Sequence, residues 1–392
     1  MRKHLLIGKQ LLRKLHAAGY EAFFVGGFVR DTLLKLETKD IDITTNALPM
    51  EVKEVFNKVI STGEKYGTVT VIIEGVPFEV TTYRTEQNYS DYRRPDDVKY
   101  AKTLKEDLSR RDFTINQLVM DDEEDIMDYH NGLEDLNNHI IRTINDPNER
   151  FKEDALRMLR AFRFSAKLDF DIEEKTLNAI QENGELIKHI AIERIQDELM
   201  NLFSQPFKQK ALKAMIKTGI HHYLFRAPLA IEFLASIDEP YDTQDAFVVL
   251  YLEGEPLEKS FKLSKKMLHD IKQVARIHAL TIEDHFTPEI LFTEKISACL
   301  SADKINIFYE KPSEKELIIS IDKNLPIKEV CELAYKGEHI IKDMELSNRK
   351  HIGFIIDHLI LEVIYQRVPN TYEALKEKAF QIKKQLEKSD LI

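Results

Sequence analysis

Two aspartates one residue apart, Asp40 and Asp42, are the residues of this sequence best suited to metal chemistry. Ile41 and Ile43 alternate with them, which predicts a strand. Alternate side chains of a strand share a face, so the two carboxylates would point the same way while the isoleucines enter the core. Paired carboxylates repel one another unless a cation lies between them, and their hard oxygen atoms suit Mg²⁺. Taken alone, the pattern also fits a solvated edge strand that carries two acids.

A glycine pair lies upstream of the aspartates. The segment 24–31, Phe-Val-Gly-Gly-Phe-Val-Arg-Asp, predicts a strand, a turn at Gly26 and Gly27, and the start of a helix that carries Arg30. Glycines let the backbone approach a ligand, and the free N–H groups at the start of a helix attract phosphate. Such a turn is weak evidence alone, but shortly before an Asp-x-Asp strand it indicates a phosphate-binding cradle.

A third acid, Glu79, lies on a predicted hairpin strand, residues 77–83. It alternates with Phe78 and Val80, so its side chain would project away from the core. Three carboxylates on neighbouring strands can hold two Mg²⁺ ions for in-line phosphoryl or nucleotidyl transfer. The three acids therefore predict a metal site beside the phosphate cradle.

Asp154 and Arg157 are three residues apart in a segment predicted to be helical, so their side chains would be neighbours. An aspartate only accepts hydrogen bonds and an arginine only donates them. Cytosine and adenine present an amino donor beside a ring-nitrogen acceptor, whereas uracil and guanine present the reverse order. The pair would therefore accept C and A without a nucleic-acid template. The alternative is an ordinary surface salt bridge, which is common and contributes little stability.

Arg160 and Arg163 continue the three-residue spacing along the same predicted helix. Each step turns by about 60° around the helix axis, so the row would fan across one side. Arginines this close repel one another unless an anion meets them, and a triphosphate or an RNA backbone would serve. Neutralisation by Glu149 and Glu153 is the alternative.

The elements that would position these residues form a small α/β head. Its pattern predicts helix 4–18, strand 22–26, helix 31–36, strand 41–44, helix 50–59 and hairpin strands 68–74 and 77–83. From residue 149 onwards the strand signals fade, and helices are predicted at 151–168, 173–183, 191–203 and 208–218. The second half reads as helix almost throughout, without an internal repeat. The sequence therefore predicts a small α/β head followed by a long helical body.

Composition and charge limit the classes of protein. Of the 392 residues, 43% are hydrophobic and 31% charged, which excludes collagen, an intrinsically disordered chain and a disulfide-rich mini-protein. The net charge of −11 argues against a protein that coats nucleic acid nonspecifically. The charge is uneven, because residues 138–167 carry seven bases and four acids whereas residues 232–258 carry eight acids and no Lys or Arg. We expect a polyanion to meet the first stretch and avoid the second.

The two cysteines and the apolar pattern bear on the compartment. Cys299 and Cys331 fit neither a zinc site nor a disulfide framework, which indicates a reducing environment. Lys and Arg interrupt the apolar residues of the N-terminus, unlike a signal peptide, and no apolar run approaches the ~20 residues that span a bilayer. We therefore expect a cytoplasmic protein without membrane contact.

Five motifs in a fixed order carry a family resemblance. Gly-Gly-x-Val-Arg-Asp at 26–31 followed by Asp-x-Asp resembles the nucleotidyltransferase superfamily that includes DNA polymerase beta. The segments 110–116 (Arg-Arg-Asp-Phe-Thr-Ile-Asn), 150–164 and 192–199 resemble successive motifs of the class II tRNA nucleotidyltransferases and bacterial poly(A) polymerases. The match runs in register over about residues 22–205, and more loosely to the end of the chain.

The resemblance implies an α+β fold. A nucleotidyltransferase head with a small mixed sheet would be followed by an all-α neck, body and tail. The implied boundaries are 1–137 for the head, 138–205 for a neck that recognises the nucleobase, 206–300 for the body and 301–392 for a tail that binds tRNA.

The resemblance also implies roles for individual residues. Asp40 and Asp42 would bind the Mg²⁺ ions and Glu79 would assist catalysis. The implied phosphate and nucleotide contacts lie on the glycine turn, on the following motifs and on the neck, and they are Gly26, Gly27, Arg30, Arg111, Asp112, Asn116, Asp154, Arg157, Arg160 and Arg163.

The implied activity is template-independent addition of the 3′-terminal CCA sequence to tRNA, from CTP and ATP with release of pyrophosphate, in tRNA maturation and repair. The tRNA would be held at its acceptor end and elbow. The oligomeric state stays open, with a homodimer as one alternative. The polar, aromatic residues 84–98 predict a loop. In the family a flexible loop here distinguishes addition of the whole CCA from addition of part of it, which favours the full activity.

Two rival functions carry different expectations. A poly(A) polymerase would share the motifs but commonly carries a basic C-terminal extension, whereas the last 22 residues here hold five lysines and four acids. The second rival is an RNA-binding protein with an inactive transferase head. Intact Asp40, Asp42, Arg111 and Asp154 argue against it.

Overall fold

The computed structural model describes residues 2–38, 40–89, 95–224, 228–254, 257, 261–344, 346 and 348–388. The chain forms two compact units, Met1–Ser236 with Glu253–Lys262, and Ile237–Leu252 with Leu263–Ile392. The mixed α and β class with a small mixed sheet is confirmed, whereas the four predicted domain boundaries stay a prediction. In the described part of the chain, none of the helices combines the length and apolar character needed to cross a membrane.

The first unit is built on a seven-stranded sheet. The described strands are β1 (Ala22–Val25), β2 (Asp42–Thr45), β3 (Val59–Gly63), β4 (Thr68–Ile73), β5 (Val76–Thr82), β6 (Arg84–Tyr89), β7 (Pro95–Tyr100), β8 (Val119–Met120), β9 (Ile126–Met127), β10 (Ile140–Ile141) and β11 (Asp171–Ile172). The large sheet has the order β3-β4-β5-β2-β1-β8-β9, in which β2 and β5 are parallel and the other neighbours antiparallel. β6 pairs with β7, and β10 with β11.

Both faces of this sheet are partly covered by helices. The helices of this region are α1 (Arg2–Ala17), α2 (Gly27–Leu33), α3 (Pro49–Val55), α4 (Leu104–Ser109) and α5 (Gly132–Asn137). Phe24 and Phe78 are fully buried, and both lie against Gly8 of α1. Successive strand residues face opposite ways, so Val25 packs instead with Leu104 and Leu108 of α4. α4 therefore covers part of the face on which Asp42 lies and leaves the start of β2 open.

Helices make up the remainder of the first unit. They are α6 (Pro147–Glu153), α7 (Leu156–Leu168), α8 (Glu174–Asn183), α9 (Ile192–Phe203), α10 (Lys208–Thr218) and α11 (Pro228–Ser236). α7 packs against α9 and α10 and buries Met158, Leu159 and Phe162. The apolar residues of α7 thus anchor the helix, while its basic residues lie on another side.

In the described residues of the second unit, all regular secondary structure is helical. Its helices are α12 (Thr243–Leu252), α13 (Lys265–Thr281), α14 (Pro288–Thr293), α15 (Ile296–Phe308), α16 (Lys315–Asn324), α17 (Gly337–Met344), α18 (Arg349–Ile364) and α19 (Tyr372–Lys388). α17, α18 and α19 share a core in which Ile340, Ile355, Leu359 and Leu375 are buried. Cys299 is buried and Cys331 is exposed, and both are free thiols.

Four sequence predictions of secondary structure were wrong in part, and the first is the helix predicted over 31–36, which is observed as Gly27–Leu33. The helix predicted over 50–59 ends at Val55, because Val59 and Ile60 pair with β4 as part of β3. The loop predicted over 84–98 is mostly the paired strands β6 and β7, and its residues 90–94 lie outside the described part. The helix predicted over 151–168 is two helices, α6 and α7.

Candidate active site

Asp42 opens β2, near the middle of the sheet. Ile41 and Ile43 beside it are buried in the core, whereas Asp42 is half-buried and Asp40 is exposed. Both aspartates line a cavity of about 600 Å³. The two carboxylates therefore lie on the same side of the sheet, where a ligand in the cavity can reach both.

The third predicted acid, Glu79, stands beside Asp42 because their Cα atoms pair across β2 and β5. Burial raises the pKa of Asp42 to about 6. The Arg111 guanidinium opposes this effect, and the carboxylates of Glu79 and Asp40 reinforce it. Glu79 itself is exposed and is not among the residues that line the cavity. Among the described residues, no three acidic, histidine or cysteine side chains converge as a ready metal site.

The turn at Gly26 brings the backbone close to two charged side chains. Gly26 has φ +73° and ψ −137°, a conformation that glycine tolerates far better than other residues. A Cβ at this position would lie 3.3 Å from Arg111 Nη1 and 3.6 Å from Asp42 Oδ2. Gly27 then starts α2. The absence of a side chain at Gly26 thus leaves room for a ligand between the cation and the carboxylate.

Arg30 is fixed in the wall of the cavity. It is 2% exposed, and its Nε donates to Asp31 Oδ1 at 2.8 Å. Its Nη1 donates to the side-chain oxygen of Asn116, and its guanidinium carbon lies 5.0 Å from the centre of the Phe164 ring. This side chain is held in place before any ligand arrives.

Asp112 joins the α/β part of the first unit to α7. It accepts hydrogen bonds from Asn116 Nδ2 (3.0 Å), the Phe113 N–H (2.9 Å) and Arg160 Nε (2.8 Å). Burial raises the pKa of Asp112, but Arg160 and these hydrogen bonds outweigh burial and hold it well below the usual range of a carboxyl. Asp112 is therefore a fixed negative charge that orients Arg160 and Asn116.

Three guanidinium groups surround the Phe164 ring. Their central carbons lie 4.4 Å (Arg163), 5.0 Å (Arg30) and 5.5 Å (Arg160) from the ring centre. Arg163 also donates through Nε to Glu198 Oε2 at 2.6 Å. A cation over an aromatic face is electrostatically favourable, so Phe164 helps to hold positive charge together at the cavity.

Arg111 is weakly bound by comparison. Its Nη2 lies 3.4 Å from Asp107 Oδ2, and its buried Nε has no hydrogen-bond partner in the described part of the chain. Asp107, which the sequence analysis missed, is fully buried and also accepts from the Thr44 hydroxyl (3.1 Å) and from Arg110 Nη2 (2.8 Å). The spacing of Asp107 three and four residues before the two arginines was the available signal.

Most of the predicted site residues line the same cavity. Those that line it are Gly26, Gly27, Arg30, Asp40, Asp42, Arg111, Asp112, Asn116, Arg160 and Arg163. The sequence analysis missed other lining residues, namely Phe28, Asp31, Glu37, Thr38, Phe164 and Lys167. Glu79, Asp154 and Arg157 are predicted site residues that are not part of this lining.

Asp154 lies between two helices and not within one. α6 ends at Glu153 and α7 begins at Leu156, while Asp154 itself is extended, with φ −144° and ψ 101°. Its carboxylate accepts the Leu156 N–H at 3.1 Å, which competes with continuation of α6. It also pairs with Arg194 Nη2 at 2.8 Å. The prediction that Asp154 and Arg157 share one continuous helix was therefore wrong.

Arg157 points toward other partners in this structure. It is 6% exposed and donates to Glu153 Oε2 at 2.6 Å. It also donates to the backbone carbonyls of Arg110 (2.9 Å) and Arg150 (3.0 Å). Asp154 and Arg157 are thus held separately, and their joint action on a base stays a prediction.

The basic stretch 138–167 is not a free positive surface. Each of its seven bases has a carboxylate partner: Arg142 with Asp135, Arg150 and Arg157 with Glu153, Lys152 with Glu149, Arg160 with Asp112, Arg163 with Glu198 and Lys167 with Asp31. Glu149 and Glu153 neutralise part of the stretch, but Arg160 and Arg163 have other partners. A polyanion must therefore compete with these carboxylates.

Family models match most of the chain. They are the Poly A polymerase head domain over residues 22–142, the RNA and SrmB binding site of polymerase A over 169–232, and tRNA nucleotidyltransferase domain 2 over 252–379. The CCA-adding enzyme of Limosilactobacillus reuteri (strain DSM 20016) is 38% identical over 389 residues, covering 96% of each chain. That of Enterococcus faecalis is 36% identical over 380 residues, covering 93% of each.

Solved structures agree with these matches. The Bacillus stearothermophilus CCA-adding enzyme in complex with CTP has a TM-score of 0.85 at 31% identity and covers 98% of both chains. The Thermotoga maritima CCA-adding enzyme complexed with tRNA has a TM-score of 0.70 at 19% identity over 98% of both chains. The second likeness is one of fold alone.

Proposed function

Since this chain belongs to the family of CCA-adding enzymes, it is a tRNA nucleotidyltransferase that adds the 3′-terminal CCA sequence without a nucleic-acid template, and we propose how its residues perform that reaction. Enzymes of this family depend on a divalent metal ion. One observation carries the residue assignments, namely that the Gly26 turn, Arg111 and the pair of Asp40 and Asp42 face a single cavity.

We propose that the metal is Mg²⁺ and that Asp40 and Asp42 hold it. The donor set fits, because both side chains offer only carboxylate oxygens, and burial and neighbouring acids raise the pKa of Asp42. A dication would relieve that repulsion. When bound, the metal offsets phosphate charge and favours ionisation of the attacking 3′-hydroxyl. Glu79 adds negative charge beside Asp42 from outside the lining of the cavity.

The nucleotide triphosphate would lie along the glycine turn. Gly26 and Gly27 let its oxygens approach the backbone, and Arg111 Nη1 is on the same side, 3.3 Å from where a Cβ of residue 26 would lie. Arg30, held by Asp31 and Asn116, supplies a positive charge that needs no reorganisation on binding. The residues therefore stabilise the charge that develops on the leaving pyrophosphate.

Base selection is assigned to Asp154 and Arg157 as an acceptor and donor pair. Two features support this assignment. Arg194 and the Leu156 N–H fix the Asp154 carboxylate: Oδ1 accepts from both of them, whereas Oδ2 accepts only from Arg194 and keeps capacity for a further donor. Arg157 would have to exchange Glu153 or a backbone carbonyl for the base. Base reading is thus coupled to a side-chain rearrangement, and we assign it to the neck, 138–205.

The RNA substrate would be shared between the cavity and the tail, 301–392. Its 3′-hydroxyl must reach Asp40 and Asp42 for attack on the α-phosphate of CTP or ATP. In the tail, Lys336, Lys342, Arg349 and Lys350 are exposed basic residues that suit phosphate contacts with the tRNA elbow.

The assignment is tested with purified protein, Mg²⁺ and a tRNA that lacks its 3′-terminal CCA, offered each nucleotide singly and in mixtures. We expect CTP to add two residues, ATP to add one only after them, and UTP and GTP to add none. A run of A residues would identify a poly(A) polymerase. Absence of incorporation with retained tRNA binding would identify an inactive head.

Two variants test the residue assignments. Asp42→Asn removes one charge at nearly constant volume, so incorporation should fall by roughly 10²–10³-fold while tRNA binding is kept. The double variant Asp154→Ala with Arg157→Ala should incorporate all four nucleotides slowly and with less preference, in single-turnover measurements. An unchanged preference for C and A in the double variant would remove base reading from this pair.

A further inference from the structure

Lys167 is a fifth basic residue on the wall of the cavity, alongside four arginines. It lies in the last turn of α7, one turn beyond Arg163, so it extends the row that begins at Arg160. Its side chain is 33% exposed. It belongs to none of the residue assignments above.

The partner of Lys167 is itself doubly paired. Lys167 Nζ lies 2.7 Å from Asp31 Oδ2, while the other oxygen, Asp31 Oδ1, accepts Arg30 Nε at 2.8 Å and Nη2 at 2.6 Å. Leaving a buried carboxylate without a partner is costly. If Lys167 turned away, Asp31 would keep Arg30, so the release of Lys167 avoids that cost.

The neighbouring arginines have less freedom. Arg160 donates through two nitrogens to Asp112, Arg163 donates to Glu198, and Arg30 is almost fully buried. Lysine carries three donors on a flexible four-carbon stem, and Asp31 is the one partner of Lys167 in the described part of the chain. Compared with these three arginines, Lys167 is the best placed to turn toward an arriving anion.

We propose that Lys167 exchanges Asp31 for the triphosphate of the incoming nucleotide, and is thereby a further substrate-binding residue of this enzyme. The proposal rests on the assignment of the cavity to the nucleotide. Five basic and five acidic residues line the cavity, so without Lys167 its lining would carry net negative charge toward a polyanion.

The test compares Lys167→Met with the unaltered full-length enzyme. Binding of inorganic tripolyphosphate, measured by calorimetry without turnover, should weaken by about tenfold, as expected for loss of one charge-assisted contact. The KM for CTP and for ATP should rise by the same factor, because the phosphate chain is common to both. The KM for tRNA should not change, and Lys167→Arg should recover part of the loss because it keeps the charge.

Lys210→Met is the matched control. Lys210 is 35% exposed and pairs with Asp169 and Asp171, yet it does not line the cavity. Its replacement should leave tripolyphosphate binding and both KM values unchanged.

Two outcomes would overturn the proposal. If Lys167→Met lowers the Tm but leaves tripolyphosphate binding intact, the lysine only ties α7 to α2. If the KM for tRNA rises alone, the lysine contacts the RNA backbone instead. Failure of the unaltered protein to add C, C and A would count against the proposed function, and the calorimetric comparison would still decide the role of Lys167.

Discussion

Gly26 adopts φ +73° and ψ −137°, so a side chain there would strain the backbone by about 1–3 kcal/mol. In Gly26→Ala the added methyl group would also lie 3.3 Å from Arg111 Nη1 and push that guanidinium away from the cavity. Displacement of a catalytic group by about 1 Å can cost about 100-fold in rate. We therefore expect kcat/KM for CTP to fall by one to two orders of magnitude (about 10–100-fold), measured by steady-state incorporation.

Gly75→Ala is the control that separates backbone strain from displacement of the Arg111 guanidinium. Gly75 also has a positive φ, +82°, but a Cβ there would meet nothing within 4 Å. This variant should lower the thermal stability while kcat/KM stays near that of the unaltered enzyme. If both alanine variants lose activity to the same extent, the loss comes from general destabilisation of the sheet region and not from the turn at the cavity.

Residue types with a chemical signature were the ones that the sequence could identify. Asp40, Asp42 and Arg111 carry charge in short, recognisable spacings, and all three line the cavity. Asp107 offered only its spacing before Arg110 and Arg111, and its contact with Thr44, which is 63 positions away in the chain, gave no local signal. A partner of that kind exists only after β2 and α4 have packed together, so periodicity and composition do not reveal it.

Helices and strands also differ in how well a local sequence pattern predicts them. The amphipathic helix predicted over 191–203 is observed as Ile192–Phe203, because its apolar face packs onto α7 and fixes both periodicity and length. By contrast, β3 and the pairing of β6 with β7 depend on partner strands, which a local pattern does not show. The break between α6 and α7 has a local cause, the Asp154 carboxylate, but it lies within a continuous apolar pattern that predicts helix.

The contact between α7 and the segment before it predicts a pH dependence. Arg160 and the hydrogen bonds to Asp112 hold its pKa below the usual value, despite burial. A carboxyl whose pKa is lowered by folding contributes stability above its unfolded pKa, about 3.9, and that contribution is lost as the pH falls through the folded value. Asp112→Asn should therefore lower the free energy of unfolding by about 3 kcal/mol at pH 7. This difference from the unaltered protein should become smaller below about pH 4.

Chemical denaturation between pH 2.5 and 7 would measure this difference. Asp171→Asn provides the comparison, because Asp171 also pairs with a base, Lys210, but its side chain is 80% exposed. An exposed pair contributes little, so this second variant should resemble the unaltered protein across the range. If Asp112→Asn lowers the free energy of unfolding by the same amount at every pH, then Asp112 acts through its shape alone and not through its charge.

At the scale of the whole molecule, local pairing modifies the simple picture of an acidic and a basic stretch. In the acidic stretch 232–258, Glu232 contacts His221 at 3.2 Å, and the buried Asp245 pairs with Lys304 at 2.5 Å. Glu255 and Glu258 lie outside the described residues. Since the bases of 138–167 are paired as well, counting charges along the chain overstates both surfaces, and unpaired exposed cations are the better guide to RNA contacts.

The tail offers four such cations in the second unit. Lys336, Lys342, Arg349 and Lys350 are exposed, and no carboxylate lies within 4 Å of them in the described part of the chain. Replacing all four with Gln should raise the KM for tRNA. The slope of log affinity against log salt should become shallower by roughly three, since each phosphate contact contributes about 0.7–0.9. The KM for CTP should stay unchanged, because these residues do not line the cavity.

Paired lysines of the first unit supply the control for this prediction. Lys152 and Lys188 are about half exposed, and they carry one charge each, as the tail cations do. They differ from the tail cations because they pair with Glu149 and Glu185. Because their charge is already compensated, their replacement with Gln should leave both the KM for tRNA and the salt slope near those of the unaltered enzyme. Equal effects of the paired and unpaired sets would show that tRNA responds to overall charge. Crosslinks from tRNA that map mainly to residues 232–258 would contradict the assignment to the tail outright.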